Sequence, residues 1–169
     1  VRQAARRCEG LLGRAVAVAA PAGLVIWVFA NVQAGEMSLL ARCAAFLDPF
    51  ARALGLDGVI LMAFLLGLPA NEIVVPVMLM AYLSGGVLVE AQSTQALGEI
   101  LTAQGWTPLT AACTILFCLF HWPCSTTCLT IRRETGSWKW TALAVALPTG
   151  LGLGLCALVA ACARALGLG

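Results

Sequence analysis

The sequence is poor in charge. Only 11% of its 169 residues are Asp, Glu, Lys or Arg, whereas 61% are hydrophobic and the mean hydropathy is +0.94. Ordinary soluble domains carry about 25% charged and about 45–50% apolar residues, and a soluble fold of this size could not hide so much apolar surface in its core. The shortage of charge therefore predicts a chain that faces lipid. The net charge of +2 gives no indication of a nucleic-acid partner.

Several motifs are also missing. The sequence contains no GxxxxGK[ST] phosphate-binding loop and no pair of CxxC motifs for a zinc finger. Most of the eight cysteines lie inside apolar runs, so they do not form the loop-borne disulfide framework of a small secreted protein. The chain starts at Val1 in a basic stretch whose apolar run is too long for a signal peptide, and we expect it to be a fragment.

What the sequence does contain is four hydrophobic segments. They cover residues 15–32, 59–83, 108–131 and 140–162. Each approaches the length of about 20 residues that a helix needs to cross a bilayer. The pattern predicts an all-α integral membrane fold, a small bundle of transmembrane helices in a multi-pass protein.

The stretch between the first two segments, residues 35–58, is amphipathic. Leu39, Leu40, Ala44 and Leu47 recur with helical spacing among charged residues. We expect an interfacial helix that ends near Asp48-Pro49, followed by a turn at residues 55–58.

The charges predict a topology. Arginines flank the first segment, and Arg132, Arg133 and Lys139 follow the third, so both places should be cytoplasmic. The polar loop at residues 84–107 has Glu90 and Glu99 but no Lys or Arg, and should be external. Four simple crossings cannot satisfy all three statements. They agree if the second segment is a re-entrant hairpin that breaks at residues 69–72.

That second segment carries polar and helix-breaking residues in its middle. Pro69 and Pro76 prevent one regular helix, and Asn71 and Glu72 lie between them. A carboxylate at membrane depth usually marks an ion path or a buried pair, and transporters commonly bind substrate between broken helices. The bland alternative is a tilted helix with Glu72 near the interface.

The third segment is broken as well, in the stretch from His121 to Cys128. Pro123 breaks the helix, Cys124 follows it, and Cys128 lies one helical turn further on. Thiolate and imidazole suit first-row transition metals, so we predict Cys124, Glu72, His121 and Asn71 as metal ligands. We predict that Pro69, Pro123, Ser125, Thr126 and Cys128 line the transport path or gate. The alternative for His121 is a hydrogen bond to a carbonyl freed by Pro123, or a position at a wet pore. Packing is the favoured role for Cys128, and Ser125 and Thr126 can satisfy freed backbone groups.

The residues at these breaks carry a family resemblance. The stretches 55–76, 105–107 and 119–127, together with IRRETGSWKW at 131–140, resemble the second gate segment of FeoB ferrous iron transporters. The resemblance extends from about residue 14 to about residue 162. It implies that the whole chain, residues 1–169, is one transmembrane gate domain of a protein that imports Fe(II) across the bacterial inner membrane.

The resemblance also implies particular roles and partners. Cys124 matches the family's iron-path cysteine after proline, and Glu72 matches the acidic residue of the other break, where many relatives have Lys-Glu instead of Asn71-Glu72. Fe(II) would be the transported substrate, with no permanently bound cofactor. The rest of a FeoB-type chain would supply the GTPase domain and the first gate, so this chain itself would be no enzyme. The lipid bilayer is the other expected partner, and both a homo-oligomeric pore and a monomeric path stay open.

Two other functions stay open on the residues alone. A nucleoside-type gate could transport another solute with Asn71, Glu72 and the Ser/Thr cluster as hydrogen-bonding groups. A non-transporting membrane scaffold would need neither Glu72 nor Cys124. A membrane enzyme is disfavoured because no third group orients His121 and Cys124.

Overall fold

The computed structural model describes residues 2–33, 35–83 and 93–167, with the backbone alone for residues 2–15 and for residue 18. The elements are α1 (Arg2–Asn31), α2 (Leu39–Ala53), α3 (Gly58–Leu66), a 3-10 turn (Asn71–Ile73), α4 (Val74–Tyr82), α5 (Thr94–Ala103), α6 (Pro108–Phe120), α7 (Ser125–Thr135) and α8 (Trp138–Ala165). No strand occurs among these residues. The predicted all-α membrane fold is confirmed.

Helix α8 buries small side chains and exposes large apolar ones. Its buried positions are small residues, Thr141, Gly152, Cys156 and Ala160. Its large side chains point outward, and Leu147, Leu151 and Leu158 are each more than half exposed. Small residues let helix backbones approach one another, and exposed leucines are favourable against lipid but not against water. Because the apolar face points away from the protein, α8 is built for a bilayer.

Among the residues that the structure describes, two segments are long and apolar enough to cross a membrane. They are Pro108–Thr135, which includes the break between α6 and α7, and Trp138–Ala165. A third exists only if α2 and α3, which meet at 111°, count as one bent span. In α1, the side chains that the structure describes form a shorter apolar stretch, Ala19–Asn31.

Helices α3 and α4 form an antiparallel hairpin. The Tyr82 hydroxyl at the end of α4 donates a hydrogen bond to the Asp57 carboxylate, which caps the start of α3. The same hydroxyl accepts a hydrogen bond of 2.9 Å from the Trp106 indole N–H, just before α6. These bonds fix the two feet of the hairpin, Asp57 at the start of α3 and Tyr82 at the end of α4, at the end of the molecule where α6 begins. The predicted break in the second segment is confirmed, and the chain turns back there.

The hairpin reaches about halfway along the bundle. Each arm is a helix of nine residues, or about 13 Å at 1.5 Å per residue, against about 30 Å for a hydrocarbon core. Its tip contacts the junction of α6 and α7, and the end of α6 packs on Gly152 near the middle of α8. The tip therefore lies at the depth of the second break.

Helix α2 is amphipathic, as predicted, and lies across the foot of the hairpin. A Cβ on Gly58 would lie 1.9 Å from the carbonyl oxygen of Ala44, so only glycine allows this close crossing. The prediction that α2 ends near Asp48-Pro49 is wrong, because the helix continues to Ala53. Pro49 lies on the exposed face, where the carbonyl that loses its intrahelical bond is not buried.

Two other boundaries differ from the predictions. The expected loop at residues 84–107 contains α5, capped by the Ser93 hydroxyl on the Ala96 amide at 3.1 Å. Residues 84–92, including Glu90, lie outside the described residues. The expected turn at residues 132–139 shrinks to Gly136-Ser137, because α7 runs on to Thr135 and ends at Gly136 with a positive φ of 63°.

Candidate functional site

The first break is a tight non-helical tip between α3 and α4. A Cβ on Gly67 would lie 2.4 Å from a methyl carbon of Val74, so glycine permits the close return of the chain. Pro69 follows, and Ala70 is extended ahead of the 3-10 turn. Asn71 and Glu72 in that turn are exposed. The Glu72 carboxylate lies at the N-terminal end of α4, where a negative charge is favourable.

The second break separates α6 from α7. Helix α6 ends at Phe120, and residues 121–124 are not helical. Cys124 is extended, with φ −62° and ψ 158°, and occupies the N-cap position of α7 without a side-chain cap hydrogen bond. Pro123 has no N–H to continue the α6 ladder. The break that the sequence predicts at this proline is confirmed.

The two breaks touch each other. The carbonyl oxygen of Leu68 accepts two hydrogen bonds from Ser125, one from the backbone N–H and one from the hydroxyl, each of 3.0 Å. The first N–H groups of a helix have no partner within it. The Cys124 side chain does not cap α7. The hairpin tip, 57 residues earlier in the chain, caps the helix instead.

The cysteines of the second break are half-buried. The Cys124 sulfur lies 3.1 Å from the Thr127 hydroxyl oxygen, and the Cys128 thiol donates to the Pro123 carbonyl at 3.5 Å. Thr126 is exposed, and its carbonyl accepts from the Thr130 hydroxyl at 2.9 Å. Cys124 itself lies at the start of α7, next to Ser125 and its contact with Leu68.

His121 is held in one orientation. Its Nδ1 lies 2.8 Å from the carbonyl oxygen of Cys118, and a carbonyl can only accept, so Nδ1 carries the proton. In the neutral ring, Nε2 is then a free lone pair. This atom is buried and has no hydrogen-bond partner within the described chain. Phe64 of the hairpin covers the ring at a centroid distance of 5.3 Å.

An apolar groove of about 430 Å³ lies beside the two breaks. Its lining comes from the hairpin, the second break, α7 and α8: Leu65, Leu68, Trp122, Pro123, Ser125, Cys128, Leu129 and Val145. Of the predicted path residues, it brings together Pro123, Ser125 and Cys128. Pro69 lies on the other side of the tip, facing Pro21 and Ile26 of α1.

The predicted metal ligands do not form a closed cage. Among the described residues, no three His, Cys, Asp or Glu side chains lie close enough to hold one ion. No hydrogen bond or ion pair links Asn71 or Glu72 to a described side chain. Both breaks meet, but through Leu68 and Ser125 rather than through Glu72 and Cys124.

Comparison with known proteins decides the family. The family model described as "Gate: Nucleoside recognition" matches residues 12–138, which include α2, the hairpin and both breaks. The chain belongs to the Gate family. A Gate domain is a module of transporters and not a catalytic domain.

Curated relatives of this Gate domain are iron transporters. The chain is 42% identical over 82 residues to the Fe(2+) transporter FeoB of Staphylococcus aureus strain COL, covering 48% of this chain and 11% of the relative. It is 28% identical over 123 residues to a Fe(2+) transport protein A/Fe(2+) transporter FeoB fusion protein of Porphyromonas gingivalis, covering 69% and 14%. The resemblance to the FeoB gate region is confirmed.

The Gate domain thus spans well under a quarter of the length of the curated relatives it matches. No solved structure matches it at a comparable level of significance.

Sequence reasoning missed three participants in the site. Leu68 acts through its backbone, so its side chain gave no signal. Phe64 and Trp122 read as ordinary apolar residues, although Phe64 covers His121 and the Trp122 indole N–H is a second buried group without a partner in the described chain. Leu68 and Trp122 directly precede Pro69 and Pro123, and this was the available clue.

Proposed function

We propose that this Gate domain forms part of an Fe(II) path through the bacterial inner membrane, and that the path runs where its two broken segments meet. The observation that carries the proposal is the contact between Leu68 and Ser125, which joins a half-length hairpin to a broken span at mid-depth. Irregular backbone at membrane depth is tolerated where it is covered by protein or lines a cavity. Transporter substrate sites form from such broken helices.

The chemistry of the second break fits a borderline metal ion. Cys124 lies at the N-cap of α7, and a thiolate is the form of cysteine that binds metal. Helix N-termini stabilise negative charge. With the buried lone pair of His121 nearby in the sequence, the break offers sulfur and nitrogen donors of the kind that Fe(II) accepts.

The first break supplies oxygen. Unwound carbonyls at the end of α3 and the Glu72 carboxylate are groups that replace water around a cation. An ion in transit needs sites that also release it, and separate donors along a path meet that need better than a closed cage. We assign Glu72 and Asn71 to one stage of the path, and Cys124 and His121 to another.

The hairpin would be re-entrant from the external side. Both of its feet lie at the end where α6 starts, opposite to the Arg132, Arg133 and Lys139 end. Basic residues favour the cytoplasmic side. The rest of a FeoB-type chain would complete the path and couple it to energy.

Anaerobic Fe(II) uptake by the full-length parent transporter tests the proposal. Cys124→Ser and Glu72→Gln should each lower uptake by about 10–100-fold, since loss of an outer-shell partner alone costs that much at metal sites. Cys162→Ser is the matched control, because Cys162 is exposed near the end of α8. Unchanged uptake in both variants, at equal membrane expression, would refute the iron path.

A nucleoside-type solute is the second candidate, favoured by the description of the matching family. Asn71, Ser125 and Thr126 would then bind the solute and Cys124 would be incidental. Solute uptake that survives Cys124→Ser but not Asn71→Ala would support this candidate over iron.

A further inference from the structure

We propose that the Leu68 carbonyl and Ser125 form the latch of the closed gate, an inference that rests on the proposed function. Leu68 is the last residue before Pro69 at the hairpin tip, and Ser125 is the first residue of α7. Their two hydrogen bonds, both of 3.0 Å, are the polar connections between the two breaks in the described chain.

The latch satisfies groups on both sides. In the closed state the Leu68 carbonyl accepts twice, and the first N–H of α7 gains a partner that its own N-cap residue does not supply. In hydrocarbon an unpaired backbone group is costly. The closed state is therefore stable as long as water and ions are excluded from the contact.

Opening changes the chemistry of the gap. When the tip leaves α7, the Leu68 carbonyl loses both donors and becomes an oxygen ligand for a cation. The N–H of Ser125 loses its acceptor at the same time. The Leu68 carbonyl can bind a divalent cation only when the latch is open. A cation that enters therefore stabilises the open state.

The packing around the latch gives it room to move. The groove beside it is lined mainly by apolar side chains, among them Leu65, Trp122 and Val145. On the other side of the tip, Leu68 and Pro69 face α1 across another apolar groove. Apolar contacts are non-directional, so the tip can shift without leaving further polar groups unpaired.

Substitutions at Ser125 separate the two bonds. Ser125→Ala removes the hydroxyl donor and keeps the N–H. Ser125→Pro removes both donors, and proline is well tolerated at the first position of a helix. The preceding residue must then be extended, which Cys124 already is. Ser125→Thr keeps both donors, and Thr130→Ala is a matched control that removes an exposed hydroxyl further along α7.

The experiment is alkylation of Cys128 by a small maleimide in the full-length transporter, in membranes without nucleotide, followed by peptide-resolved mass spectrometry. Cys128 lies in the groove beside Leu68 and Ser125. We expect Ser125→Ala to react about fivefold faster than wild type and Ser125→Pro faster still, since one net hydrogen bond corresponds to about that factor. Ser125→Thr and Thr130→Ala should match wild type.

Equal alkylation rates in wild type, Ser125→Ala and Ser125→Pro would overturn the latch, even if Cys124→Ser abolishes Fe(II) uptake. Faster alkylation in the two latch variants would support it, even if Cys124→Ser leaves uptake unchanged and so overturns the iron path. If Ser125→Pro does not reach the membrane, Ser125→Ala against Ser125→Thr decides the question alone.

Discussion

His121 is the residue whose surroundings say most about its chemistry. The carbonyl of Cys118 fixes the proton on Nδ1, and Phe64 and Phe117 surround the ring at centroid distances of 5.3 and 6.3 Å. A buried nitrogen lone pair without a partner is costly, and the predicted use of His121 as a metal ligand would give Nε2 a partner. Movement of the hairpin would uncover it, because Phe64 belongs to α3.

Replacing His121 by Asn tests this use. The Asn side-chain amide can still donate to the Cys118 carbonyl, as Nδ1–H does, but nothing replaces Nε2. We expect His121→Asn to lower Fe(II) uptake about tenfold or more at normal expression, by the scale of ligand-shell losses. His121→Gln, whose longer amide reaches further toward the Nε2 position, should retain more uptake. Equal uptake by all three proteins would show that Nε2 has no role in transport.

At the scale of elements, the hairpin depends on its feet. Asp57 caps α3 by accepting from the Ile60 N–H at 2.7 Å, and it also accepts from Tyr82. Asp48 of α2 accepts from the Gly58 N–H at 3.1 Å and from Arg52. These bonds tie the interfacial helix, both arms of the hairpin and the start of α6 together at one end.

Tyr82→Phe should loosen this end. The substitution leaves the Trp106 N–H and one Asp57 oxygen without a partner, and an unsatisfied buried group costs about 1–3 kcal/mol. We expect a lower midpoint of thermal unfolding for the purified full-length transporter in detergent. Phe46→Leu, at a side chain that is 83% exposed, is the control and should change nothing. A Tyr82→Phe midpoint equal to wild type would contradict the role given to the hairpin feet.

The sequence predicted the elements better than their ends. Pro69 and Pro123 predicted both breaks because proline has no N–H to continue the hydrogen bonds of a helix. Pro49 predicted an end of α2 that the structure does not have, because at its exposed position the lost hydrogen bond is tolerated. Helix α5 was missed because its polar composition resembles that of a loop, and only the Ser93 cap marks its start.

For the site, the sequence predicted the residue types but not the contact. Ser125 and Pro69 were both named as gate residues from local composition. That Ser125 bonds the carbonyl of Leu68 depends on a separation of 57 residues and on a backbone atom, and neither leaves a trace in a single sequence. The ligand roles of Glu72, Asn71, Cys124 and His121 stay predictions.

At the scale of the whole molecule, the described residues form two ends. Asp57, Tyr82 and Trp106 mark one end, and α8 returns to it, where Arg164 donates to the Ala53 carbonyl at 2.9 Å. Arg132 lies at the other end, stacked on Trp138 with 3.8 Å between its guanidinium carbon and the ring centroid. The charge rule predicts that this second end is cytoplasmic.

Labelling of intact cells tests the orientation. Gln104→Cys introduces a thiol at the hairpin-foot end, and Lys139→Cys introduces one at the basic end. A membrane-impermeant maleimide should modify the first from outside and reach the second only after the cells are permeabilised. The reverse pattern would invert the topology, and would turn the hairpin into one that enters from the cytoplasm.

The most direct test of the central claim is whether Fe(II) protects Cys124 from alkylation in the full-length transporter under anaerobic conditions. The account predicts that Fe(II) slows modification of Cys124, that Glu72→Gln weakens this protection, and that the exposed Cys162 reacts at the same rate throughout. An alkylation rate of Cys124 that Fe(II) does not change would contradict an iron path at the meeting point of the two breaks.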